Sequence, residues 1–157
     1  MASDEEYMRK AVDATLEGIK DGQTPFGACI VRDGEVVCCT HNTVWGSCDS
    51  TAHAEVNAIR CACEKLGTID LGDCVIYTTT EPCPMCFSAC HWAKIKRIVY
   101  GASIGDAKDA GFRELSISNE KMREDGGLSI EVLGGVLEDE CRELFSIWKA
   151  SGKSKTY

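Results

Sequence analysis

Apolar residues first recur at helical spacing. Met8, Val12, Leu16 and Ile19 lie three or four apart and would share one face of a helix. Ser3 followed by Glu6 has capping-box spacing, so a helix is predicted over residues 3–21. The period then changes. "FGACIVRDGEVVCCTHN" contains two β-rich runs around Asp33-Gly34, a dipeptide suited to the tight turn of a hairpin. The polar loop "TVWGSCDST" leads to a second helix from about Ala52 to Leu66, with Gly67 placed to end it. "CVIYTTT", residues 74–80, reads as a buried strand. A helix from about Pro84 to Lys94 opens on a proline, whose missing amide hydrogen is not needed in a first turn. "RIVYG", residues 97–101, is another buried strand. Beyond the loop "ASIGDAKDAGFRE" come a strand at 128–133 and a last helix at 137–150.

This order, α-β-β-α-β-α-β-loop-β-α, predicts an α/β fold with helices on both faces of a sheet. The 157 residues suit one domain with a single core, and no repeat or linker divides them.

Composition narrows the class. With 44% apolar and 27% charged residues the chain is an ordinary globular one. No apolar run approaches the roughly 20 residues of a membrane span. The N-terminal "MASDEEYMRK" lacks the layout of a signal peptide, so a cytoplasmic location is expected. Eleven cysteines, an odd number with Cys38-Cys39 and Cys61-x-Cys63 crowded together, read as free thiols in a reducing compartment. The net charge of −8 argues against a nucleic-acid partner, which would call for a basic surface. Lys94, Lys96 and Arg97 form one basic cluster, and Lys153 and Lys155 mark the tail.

Two short segments carry chemistry. "TEPCPMC" sets Cys83 and Cys86 at ligand spacing at the start of a helix, where the dipole favours thiolate. "TAHAEVNAI" sets His53 and Glu55 one residue apart at the start of another. A Cys-x-x-Cys alone is shared by redox motifs and zinc knuckles. Together with His53 it gives a three-ligand zinc set, which leaves one coordination position for solvent, as catalytic rather than structural sites do. Glu55 is placed to move protons without binding the metal, although an acidic residue also suits a first helical turn.

"HAE" followed by "PCPMC" resembles the zinc-dependent cytidine/deoxycytidylate deaminase superfamily, whose H-x-E…P-C-x-x-C signature this is. The likeness runs from "PFGACIV" at Pro25 to Gly111-Phe112. It implies a cytidine deaminase-like three-layer α/β/α fold with a mixed five-stranded sheet. It also implies zinc on His53, Cys83 and Cys86, and Glu55 as proton shuttle.

Four details are most similar to the bacterial guanine deaminase branch: "PFGA" at 25–28, "HN" closing the second strand, "AGF" at 110–112 before an acidic residue, and a short tail ending in tyrosine. The resemblance implies that Asn42 and Glu114 contact a base, that Phe26 and Trp92 wall the pocket, and that Ala54 lends its amide. It further implies that the tail, about 150–157, closes Tyr157 over an active site, and that the partners are a free nucleobase and a second copy of the chain. Arg113 departs from the branch, which usually has a second acidic residue there. Each contact has a plainer reading: Asn42 as a turn cap, Glu114 as a solvated carboxylate, Phe26 and Trp92 as core, Tyr157 as a loose end. The expected function is hydrolytic deamination of guanine. A nucleoside or cytosine deaminase, a tRNA adenosine deaminase and a non-catalytic zinc-binding assembly module are the alternatives.

Overall fold

The computed structural model describes residues 2–157. Helix α1 spans Asp4–Lys20, and Ser3 and Glu6 exchange both bonds of the predicted capping box. Strands β1 (Gly27–Arg32) and β2 (Glu35–His41) form the hairpin, with Asp33 and Gly34 both at positive φ. The short helix α2 (Val44–Ser47) follows, then α3 (Ala54–Leu66), which ends on Gly67 in the left-handed conformation. Strand β3 (Cys74–Thr80) leads into α4 (Pro84–Trp92), and β4 (Arg97–Ala102) into α5 (Ile104–Asp109) and α6 (Asn119–Asp125). Strand β5 (Glu131–Leu133) and helix α7 (Glu138–Ala150) complete the fold.

The sheet order is β2-β1-β3-β4-β5. β1 pairs antiparallel with β2 and β3, whereas β3, β4 and β5 run parallel. Helices α1 and α7 pack on one face, and α3 and α4 on the other. This is the mixed five-stranded sheet of the cytidine deaminase-like α/β fold. Gly27 marks the tightest approach on the α1 face, because a Cβ there would meet Thr15 Oγ1 and the Ala11 carbonyl. Asp4, at the first turn of α1, ties that helix to the parallel half of the sheet. It accepts two 2.9 Å bonds from the Arg97 guanidinium and one of 2.8 Å from Tyr77 Oη.

Three short helices differ from the sequence reading. α2 and α5 lie in segments predicted as loops and α6 in a stretch given no element, each too short to show a hydrophobic period. Two of them are capped: Ser103 and Asp106 form a full capping box on α5, and Ser118 caps α6. The last strand is shorter than the 128–133 expected, because Leu128 N still bonds to Arg123 O at the end of α6. Pairing with β4 starts only where Glu131 N reaches Lys96 O.

Candidate active site

Helices α3 and α4 start from His53 and Cys83, which take the N-cap positions. N-caps are usually Ser, Thr, Asp or Asn, whose side chains bond back to first-turn amides. Neither His53 nor Cys83 makes such a bond, so both side chains are free to point away from their helices. Asn57 anchors the start of α3, donating from Nδ2 to His41 O and Thr43 Oγ1, each at 3.0 Å.

The two helix starts converge. His53 Nδ1 lies 3.7 Å from Cys83 Sγ and 3.5 Å from Cys86 Sγ. A tetrahedral zinc with Zn–S of about 2.3 Å and Zn–N of about 2.0–2.1 Å requires N···S edges of about 3.6 Å. Both N···S separations therefore already match those a zinc ion imposes, and the three residues form the site's metal-ligand cluster. The Cys86 contact holds the Cys83 thiol low, at about 4, while burial opposes it. The same contact, with burial, pushes Cys86 well up.

Glu55, 7% exposed, lies in the first turn of α3. Burial, reinforced by Cys83, pushes its carboxyl up to about 7. Glu114 is likewise raised to about 7, by burial first and then by Cys83. A divalent cation at the three ligands would draw both back down.

Two spaces that share His53, Cys83, Glu114 and Tyr157 in their linings adjoin the ligands. An inner recess of about 10 Å³ is lined by Phe26, His53, Glu55, Thr80, Glu81, Cys83, Glu114 and Tyr157. Outside it, a cavity of about 410 Å³ is bounded by Ser50, His53, Cys83, Met85, Arg113, Glu114, Leu115 and Tyr157. Tyr157 lies at the junction. Its hydroxyl accepts from Asn42 Nδ2 at 2.8 Å, and its ring sits 5.6 Å from His53 and 5.5 Å from Phe112. The tail is fastened further back, where Trp45 Nε1 donates to Lys155 O at 3.0 Å and the Lys155 ammonium lies 3.7 Å above the Trp45 ring.

The sequence candidates separate accordingly. His53, Cys83, Cys86, Glu55, Glu114, Phe26 and Tyr157 come together. Ala54 is the first residue of α3, so its amide lies at the converging helix start. Asn42 is fully buried behind Tyr157, with its Oδ1 accepting from Val44 N. Trp92 lines neither space. It ends α4, about 12 Å of helical rise beyond Pro84, is 80% exposed, and faces His91. The aromatic beside Phe26 is instead Phe112, at 4.8 Å between ring centres. Gly111, at φ +102, turns the chain just before it.

Sequence reasoning also passed over Glu81, in the quoted "TEPC". Its buried carboxylate accepts from Ile104 N at 3.0 Å and Asn119 N at 2.8 Å, and Asn119 Nδ2 returns a 2.6 Å bond to Pro82 O. The stretch carrying Cys83 and the loop carrying Glu114 are thus clamped together. A carboxylate at a buried strand end was the signal, but its partners lie 23 and 38 residues away. Thr80 was missed as well; its Oγ1 is buried beside the inner recess and has no hydrogen-bond partner among the described residues.

A mixed sheet, two helix starts bearing a His/Cys/Cys cluster and a buried glutamate beside it define a zinc-dependent hydrolytic deaminase. Residues 1–102 match the family described as the cytidine and deoxycytidylate deaminase zinc-binding region, and the chain belongs to that family. It is 47% identical to guanine deaminase of Bacillus subtilis over 117 residues, 74% of this chain and 75% of that protein. It is 35% identical to the tRNA-specific adenosine deaminase of the same organism over 146 residues, 93% of this chain and 88% of the other. A solved guanine deaminase from Nitrosomonas europaea superposes with a TM-score of 0.87 at 28% identity, covering 96% of this chain and 86% of its own. No helix among the described residues is long and apolar enough to cross a membrane.

Proposed function

We propose that this deaminase acts on a free purine base, converting guanine and water to xanthine and ammonia. The observation that carries this reading is the placement of Glu114, Phe26 and Tyr157 around Glu55 and the metal ligands. One wall of this space offers an acceptor for base N–H groups and another an aromatic face. The 47% identity to a guanine deaminase supports the same choice.

Zinc on His53, Cys83 and Cys86 would supply Lewis acidity, lowering the pKa of water from about 15.7 to about 7. Glu55 would take one proton from water and deliver it to the ring nitrogen beside the amino-bearing carbon, then carry the second, left on the newly attached hydroxyl, to the departing ammonia. Its burial keeps the carboxyl easy to protonate. Amides in the first turns of α3 and α4 would face the charge that develops during attack. Glu114 would accept from base N–H groups, and a polar reader discriminates between bases better than an apolar wall can. The Thr80 hydroxyl adds a second polar handle within the recess.

Tyr157 would act as a gate. With its ring in place the recess holds about 10 Å³, too little for a purine, so the tail must shift when a base enters. A closing tail also leaves little room for ribose or an RNA strand. A tRNA adenosine deaminase is the second reading, supported by the 35% identity over 146 residues. Ammonia release with guanine, guanosine, adenine, cytosine, cytidine and a tRNA anticodon hairpin separates them. Turnover of guanine well above the others is expected; preference for the hairpin would overturn the reading.

A further inference from the structure

Away from the site, the β1–β2 hairpin carries a second pair of thiols. Cys29 and Cys39 are directly opposed in the antiparallel ladder. Gly27 lies against α1, and alternation puts Cys29, two residues on, on the same face. The neighbouring Cys38 points the other way and donates to Ala58 O in α3, so it cannot substitute for Cys39. The sulfurs of Cys29 and Cys39 are in direct contact. Directly opposed antiparallel residues have Cα atoms about 4.5–5.5 Å apart. That lies within the about 4.4–6.8 Å a disulfide spans, so a bond requires little backbone movement.

The two thiols differ in access. Cys39 is exposed on the edge strand, whereas Cys29 is fully buried. Their contact holds Cys39 below the usual thiol range, with Lys10 adding to the effect, and pushes Cys29 up. The exposed Cys39 sulfur is therefore the better placed to act as nucleophile.

We propose that Cys29 and Cys39 form a reversible intrachain disulfide by exchange with a low-molecular-weight disulfide. Cys39 thiolate attacks one sulfur of the reagent, whose S–S bond breaks and releases a first thiolate. Cys29 gives its proton to that thiolate and attacks Cys39 Sγ, expelling the second thiolate, which takes a proton from solvent. The protein loses two electrons and the reagent gains them as two thiols. The bond forms three residues inside Phe26 and three inside Asn42, linking the strand ends that carry these residues.

The test is to incubate the zinc-loaded native enzyme with oxidised glutathione, alkylate it and map tryptic peptides while following zinc content. The expected product links Cys29 in residues 21–32 to Cys39 in residues 33–60, the bonded sulfurs being located by fragmentation with Cys38 and Cys48 alkylated, and with zinc retained. Cys29→Ala should stop the reaction at a glutathione adduct on Cys39. Cys39→Ser, at an exposed position, should abolish the linked peptide even if the first variant does not fold. A lasting Cys39 adduct in the unaltered chain would overturn the proposal. So would a link through Cys38, Cys48, Cys83 or Cys86 instead, or both thiols remaining reduced.

Discussion

The two sides of the site are built differently. The metal side comes from two short segments, each contributing an N-cap residue at a helix start, with Cys86 one turn on. The proposed base side gathers Phe26 before β1, Glu114 beyond α5 and Tyr157 in the tail, held by Glu81 and by aromatic rings packed edge to face. Reactive chemistry with strict distances is placed on rigid elements. Recognition, which must admit and release a ligand, is placed on loops and a tail.

That contrast can be broken from the metal side first. Stripping zinc with a chelator, or replacing His53 with Ala, should reduce ammonia release to background, and zinc should restore only the unaltered chain. Glu55→Gln should lower kcat by about 10²–10⁴-fold while zinc content and thermal stability stay unchanged. Near-normal turnover would remove Glu55 from its role.

Changes on the base side should be milder and fall on recognition. Glu114→Gln should lower kcat/KM for guanine by about 10- to 100-fold and blur discrimination between bases, with zinc retained. Glu81→Gln keeps the shape of the clamp but sets an amide N–H against a backbone N–H. It should raise KM more than it lowers kcat; an equal fall in both would move Glu81 to the metal side.

The smallest expected effect lies away from both sides, at Asp4. The Arg97 guanidinium holds this carboxyl below its usual range. A depressed folded pKa contributes stability above the unfolded value of about 3.9 and loses it as pH falls through the folded value. Asp4→Asn should therefore cost about 1 kcal/mol at pH 7, the pair being partly exposed, and almost nothing in strong acid. Urea midpoints at the two pH values measure the difference.

The sequence by itself determined whatever rests on local rules. The Ser3 box, the Asp33-Gly34 turn, the Gly67 stop and β3 with its helix start follow from nearest-neighbour chemistry, and the sequence motif supplied the metal ligands and Glu55. Tertiary structure decided what depends on elements distant in the chain. It carried Trp92 along the axis of α4 to an exposed position and set Phe112 between Phe26 and Tyr157. It gave Glu81 two backbone partners and made Asn42 the anchor of Tyr157. A cap or a turn is fixed within about four residues, whereas a pocket wall depends on how α4, the α5–α6 loop and the tail pack against one sheet edge.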